Sequence, residues 1–286
     1  MQRTGRINPE HFAFDVVTAK AAREFTAQIK EKPLPEIRQV VPLRYWRWKL
    51  EPDWKGVSRH DFRWVVRDFE GELLWNAMEA PRMFSYNRAV WLRTHFRRPQ
   101  GQQVLLSIGS IINVFEVWVN GRYAARHSGF EPATLDITQF VDQGVDSTLA
   151  LRIENKPKDQ IGVADEISVL GESDPYLSDV FVKTDRAPGR EADATLEVEV
   201  TQMADAGRQM SVKVEVSPWF PEERREPVFS DVLPLRLWGH GAKKACATLH
   251  LRNIDLWSPD TPHLYLVRAI LQDSSGNARD DLVEIA

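Results

Sequence analysis

Along most of the chain, apolar and polar residues alternate with a period of two. Trp46 and Trp48 fall on one face of a predicted strand. Over Ala89–Phe96, Val90, Leu92, Thr94 and Phe96 alternate with Trp91, Arg93 and His95. Val104, Leu106 and Ile108 share a face, as do Val117 and Val119, and then Leu149, Leu151 and Ile153. Side chains on a strand point to opposite faces in turn, so this alternation predicts half-buried strands. Asn120-Gly121 ends one such run. Both residues tolerate positive φ, which predicts a tight hairpin there. Short strands at this spacing predict a sandwich or barrel.

Two stretches depart from that pattern. Val17, Ala21, Phe25 and Ile29 recur every four residues, which predicts a helix over 15–32, with Thr18 at its start and Pro33 and Pro35 at its end. Either a docking helix or an arm packed on its own domain fits that stripe. Lys183–Asp193 is polar and contains Pro188-Gly189, so it reads as a linker. Beyond it the alternation resumes in Leu196, Val198 and Val200, in Val212, Val214 and Val216, in Leu249 and Leu251, and from Leu264 to Leu271. Six or seven strands in about 100 residues match an immunoglobulin-like sandwich. The expected organisation is therefore an arm with a helix over 1–40, a sandwich over 41–183 and a second sandwich over 184–286.

Composition narrows the function classes. The 286 residues carry a formal net charge of −4, which gives no electrostatic reason for nucleic acid or an anionic membrane as partner. Cys246 is the one cysteine, so neither an intrachain disulfide nor a cysteine metal cluster can form. No apolar run reaches the ~18 residues of a membrane-spanning helix. The basic N-terminus is followed by the polar Ile7-Asn-Pro-Glu-His11 and not by an apolar leader segment, so the expected location is cytoplasmic. Of the 10 Trp residues, seven lie at or before Trp118. Exposed indoles on a sandwich would stack on sugar rings. Trp46, Trp64, Trp91 and Trp118 sit inside or beside alternating strands, where the simpler role is core packing.

Chemistry-bearing motifs are sparse. There is no G-x-S-x-G elbow, no H-E-x-x-H and no phosphate loop, and Gly239-His-Gly-Ala-Lys-Lys244 lacks the required spacing. The seven His residues form no i, i+4 pair. His60-Asp61 can form a proton relay or a plain loop pair. No metal or other cofactor is expected.

Several segments then resemble one family in order. Ala89–Pro99 looks like the start of the jelly-roll domain of family 2 glycoside hydrolases, the β-galactosidases, β-glucuronidases and β-mannosidases. Val117-Trp-Val-Asn-Gly121, His127-Ser-Gly-Phe130 and Leu135-Asp-Ile-Thr138 follow at that family's spacing. Leu149–Asn155 and Tyr176–Thr184 resemble later jelly-roll strands. Leu256-Trp-Ser-Pro-Asp-Thr-Pro-His-Leu-Tyr265 resembles the end of the immunoglobulin-like domain. Gly162-Val-Ala-Asp-Glu-Ile167 departs from the family pattern, with Ala164 and Asp165 where an aromatic residue and an Arg are usual.

The resemblance implies an all-β protein: a galactose-binding-like jelly roll followed by an immunoglobulin-like sandwich, with a short N-terminal helix. It implies that catalysis belongs to a third domain, a (β/α)₈ barrel carrying two Glu residues. About 250 residues are needed for a barrel, and only about 20 follow Tyr265. The expected role is the non-catalytic N-terminal portion of a retaining β-glycosidase. The alternatives are a stand-alone carbohydrate-binding module and an oligomerisation scaffold. Expected partners are a β-glycoside, the missing barrel and a second copy of the chain. No catalytic residue is assigned. By family precedent the loop Asn155–Gly162 lies nearest an active site, so Asp159 and Gln160 are the candidate sugar-binding residues, with a solvated loop as the plain alternative.

Overall fold

The computed structural model describes residues 33–51, 64–67, 70–84, 88–154, 161–187 and 189–286. The helix expected over 15–32 lies outside the described residues, as do His60-Asp61, Asp159 and Gln160. No described helix is long and apolar enough to cross a membrane.

Alternation along the first half becomes thirteen strands. They are β1 (Gln39–Pro42), β2 (Tyr45–Leu50), β3 (Asn76–Glu79), β4 (Arg82–Phe84), β5 (Val90–Arg97), β6 (Gln103–Ile108) and β7 (Ile111–Ile112). After these come β8 (Val114–Val119), β9 (Arg122–Ser128), β10 (Ala133–Asp136), β11 (Asp146–Ile153), β12 (Ile161–Val163) and β13 (Ile167–Glu172). A four-stranded sheet in the order β1-β13-β6-β10 faces a six-stranded sheet in the order β3-β2-β5-β11-β8-β9. A short β4-β12-β7 sheet closes one end. Between them lies a core that includes Leu92, Phe96, Leu106, Ile108, Phe115, Leu149, Leu151 and Ile153. This is the expected jelly-roll sandwich.

Local chemistry sets its turns. Asn120 and Gly121 take φ of 51° and 80°, and they turn β8 into β9 as expected. The Asn120 amide also donates to the Phe140 carbonyl at 2.8 Å and accepts from the Thr148 N–H at 2.8 Å, which ties that hairpin to β11. Asp136 accepts from the Thr138 N–H at 2.9 Å and from the Thr138 hydroxyl at 2.6 Å, local side-chain bonding that ends β10.

The six-stranded sheet differs from the expected pattern because part of its outer face is buried too. Trp91 and Arg93 lie on that face, yet they are 6% and 0% exposed. Residues 64–67 and 70–75 lie over them and are pinned by Arg93. Its guanidinium donates to the carbonyls of Trp64 (2.6 Å) and Val66 (3.0 Å) and to the Glu72 carboxylate (3.0 and 2.8 Å). Beneath the cover, Trp91 meets Trp118 at 5.2 Å and Trp64 at 5.6 Å between ring centroids, and Trp64 meets Trp75 at 5.3 Å. The Trp excess is thus packing, a second small core outside the sandwich.

The second half forms β14 (Tyr176–Arg186), β15 (Glu191–Gln202), β16 (Arg208–Phe220), β17 (Phe229–Leu237), β18 (Gly241–Arg252), β19 (Leu264–Asp273) and β20 (Ala278–Ile285). Sheets β14-β15-β18 and β17-β16-β19-β20 enclose a core rich in Val and Leu. Seven strands in two sheets match the expected immunoglobulin-like sandwich. The linker reading of Lys183–Asp193 needs correction. That stretch is the β14–β15 hairpin, with Lys183 opposite Thr195 and Arg186 opposite Asp193. Its polarity reflects exposed strand ends around a turn. The chain crosses between sandwiches earlier, at 173–175, where β13 ends and β14 has not begun.

Gly162 is confined from both sides. It pairs with Met83 of β4 and Ile112 of β7, its φ is +145°, and a Cβ there would stand 2.3 Å from the Arg82 carbonyl oxygen. A side chain is excluded by sterics and by backbone conformation together. Gly162→Ala is expected to cost about 2 kcal/mol or more in urea unfolding. A loss within about 0.5 kcal/mol would show that the β4-β12-β7 sheet yields freely.

Candidate functional site

Two clusters of chemistry-bearing side chains stand on the outer face of the six-stranded sheet. The first lies at the base of the segment that holds Asp159 and Gln160, on the strand residues that lead into it. Arg152 of β11 is held at its centre, 6% exposed. It pairs with Glu51 at 3.0 Å, Glu154 at 3.1 Å and Glu116 at 3.5 Å, and Arg126 reaches Glu154 at 3.3 Å. Strand register produces this arrangement: Arg152 stands opposite Glu116 across β11 and β8, and Arg126 stands opposite Glu116 across β8 and β9. Each carboxylate is bound to a guanidinium and none faces a second free carboxyl. A retaining glycosidase needs two carboxyls about 5–5.5 Å apart on either side of a bond, one of them protonated. This cluster has a different design, an ionic clamp.

The second cluster borders an open cavity of 670 Å³ lined by residues that include Tyr45, Arg47, Glu72, Arg82 and His95. Here Glu72 contacts His95 Nε2 at 2.8 Å, and His95 Nδ1 lies 3.1 Å from the Thr148 hydroxyl. The sequence of groups, carboxylate to imidazole to hydroxyl, is that of an activated nucleophile. Thr148 is completely buried, so no substrate reaches its oxygen. Burial works against the charge on Glu72, but hydrogen bonds from Arg93 and His95 outweigh it and hold its carboxyl below the usual range. The group anchors residues 64–67 and 70–75.

Sequence reasoning named the loop between Asn155 and Gly162, of which 155–160 lie outside the described residues. It did not find Arg152, Glu51 or Arg93. Each reads as a polar residue on a solvated strand face, and only the placement of 64–67 and 70–75 and the strand register show otherwise. In the departing motif, Ala164 and Asp165 are exposed, and the Asp165 carboxylate accepts from the Glu166 N–H at 2.7 Å. Among the described residues no group of His, Cys, Asp and Glu side chains is placed to hold a metal ion.

With this geometry in place, comparison with known proteins shows what the chain resembles. Residues 176–284 match the model for glycosyl hydrolases family 2. The matched stretch is the second sandwich, β14 to β20. A curated relative, a β-galactosidase of Clostridium acetobutylicum, is 22% identical over 189 residues, which cover 62% of this chain and 20% of that protein. The crystal structure of a Bacteroides uniformis β-glucuronidase aligns with a TM-score of 0.69 at 16% identity, covering 87% of this chain and 32% of that one. A putative β-galactosidase from Bacteroides fragilis aligns with a TM-score of 0.69 at 19% identity, over 87% of this chain and 41% of that one. The chain therefore spans about a fifth of the curated relative and about a third of the glucuronidase. The structural likeness, which spans both sandwiches of this chain, is one of fold.

The clamp yields a direct prediction. Arg152→Met leaves Glu51, 3% exposed, without its cation, and is expected to cost about 3 kcal/mol in urea unfolding. Adding Glu51→Gln should restore part of that loss, because the buried charge is then gone. Equal losses in the single and double variants would show that the pairing is immaterial.

Proposed function

We propose that this chain is the non-catalytic, two-sandwich portion of a family 2-type β-glycosidase, and that it supports a catalytic (β/α)₈ barrel supplied by another part of the enzyme. One observation carries the reading: the match covers both sandwiches here but only a fifth to two-fifths of the relatives' own lengths. The side-chain chemistry supports it. Among the described residues, the acidic groups on the outer sheet face are clamped by arginines, and the one carboxylate–imidazole–hydroxyl series ends in a buried hydroxyl.

The parent reaction under this proposal is retaining hydrolysis of a β-glycoside, with both carboxyls on the barrel. The two sandwiches contribute a rigid base, and the segment containing Asp159 and Gln160 contributes at most hydroxyl contacts to the sugar. A stand-alone sugar platform is less well supported, because Trp46, Trp91 and Trp118 are all under 8% exposed and offer no stacking face.

Purified 286-residue protein assayed with nitrophenyl β-galactoside, β-glucuronide and β-mannoside is expected to release no nitrophenol above the buffer rate. Turnover that persists through repeated purification and follows the protein peak would overturn the proposal.

A further inference from the structure

The two sandwiches meet at a cluster of buried charges. Residues 33–38 run along β20 of the second sandwich before entering β1 of the first. The backbone N–H groups of Glu36, Ile37 and Arg38 all donate to the Asp281 carboxylate, at 2.9, 2.8 and 3.1 Å, and Arg268 donates to it at 2.7 Å. The Arg38 side chain then turns into the joint. It donates to Asp280 at 3.1 and 2.6 Å and to the Leu177 carbonyl. Asp280 also accepts from the Leu177 N–H at 2.7 Å.

Glu172, the last residue of β13, completes the cluster from the side of the first sandwich. It is 1% exposed, and neither of its carboxyl oxygens accepts a hydrogen bond. Its nearest cation is Arg38, at 3.4 Å, and that guanidinium is already engaged with Asp280. Across β6, Gln103 stands opposite Glu172 and donates its amide to Asp136, which leaves the buried Gln103 Oε1 without a donor. Acceptors on two facing strand positions are thus buried without a donor. Charge leads to the same conclusion. The buried carboxyls Glu172, Asp280 and Asp281 face two guanidiniums, Arg38 and Arg268, so the joint is neutral when one carboxyl is protonated. Tyr176 of β14 also faces the cluster, and Asp174 is spent on Arg208 at 2.9 Å.

We propose that the joint between the sandwiches is a proton-operated clamp, closed when Glu172 is protonated and weakened when Glu172 ionises. The choice of Glu172 over the two aspartates rests on partners: Asp280 and Asp281 each accept several hydrogen bonds, and Glu172 accepts none. Burial pushes the Glu172 carboxyl up, Arg38 pulls it down less and Asp280 pushes it further, to about 7. A carboxyl raised in the folded state binds its proton more tightly there than in the unfolded chain. The stability it contributes is complete below the ordinary Glu range near 4.5, falls as pH rises towards 7, and is absent above that. Placement of the second sandwich on the first would then respond to pH across the near-neutral range, a property separate from the proposed glycosidase role.

The test compares the full chain with its Glu172→Gln variant in urea unfolding at half-unit steps from pH 5 to 8.5. The difference between the two isolates this one group from the histidines. The wild-type unfolding constant is expected to rise relative to the variant's by up to about tenfold per pH unit below 7, roughly a hundredfold in all, and then level off. A pH-independent difference overturns the proposal. If Glu172→Gln does not fold, carbon-13 NMR of wild-type protein labelled at glutamate side chains decides instead. One carboxyl titrating near 7 upholds the clamp, and all of them titrating below about 5.5 overturns it.

Discussion

The relative placement of the two sandwiches depends on charged side chains that have been taken out of water. Arg38 and Asp280 are under 10% exposed and Asp281 is fully buried, so each needs a partner more than it would at the surface. Arg38 satisfies the Asp280 carboxylate and the Leu177 carbonyl from one guanidinium, and Asp281 collects three backbone N–H groups and Arg268. A buried ion pair contributes little net stability against an apolar alternative, but it strongly penalises any arrangement that breaks it. That asymmetry suits a joint. The two cores share no residue, and each is closed by its own sheets. Apolar contact alone would allow many relative placements, whereas this set of donors and acceptors is satisfied in one.

The same logic recurs on the outer face of the first sandwich. Arg93 and Arg152 are each buried on a face that the alternating pattern assigns to solvent. Each is surrounded by carboxylates and carbonyls that hold a covering segment or a neighbouring strand. Guanidinium groups suit this role because their planar donors serve several acceptors at once. The result is an outer sheet face covered around Trp91 and Arg93 and open at Tyr45 and Tyr123.

Much of the fold was legible in the sequence. The period of two placed β5, β8, β11, β15, β16 and β19, and the Asn120-Gly121 signal placed a turn, because these features are local. Features that depend on distant contacts were not legible. Arg93 at an outward position reads as solvated until residues 64–67 and 70–75 are seen to cover it. Lys183–Asp193 reads as a linker because exposed hairpin ends and linkers share a composition. Arg38 looks like an ordinary basic residue in an arm, and Asp280-Asp281 looks like a polar strand end. Their partners lie more than 240 residues apart along the chain. Of the candidate site, Asp159 and Gln160 lie outside the described residues, and the Arg152 clamp on the strands before them was not legible in the sequence.

Hydrogen–deuterium exchange of the full chain against its Arg38→Met variant tests most directly whether the joint holds two otherwise independent cores. Amides in 36–42 and 278–285 are expected to exchange at least about tenfold faster in the variant, because the buried Asp280 loses its cation and the joint opens locally. Amides in 90–97, 149–153, 196–200 and 212–216 are expected to change by less than about twofold, since each core is enclosed by its own sheets. Faster exchange spread evenly through both cores, or no change at the joint, would contradict the account.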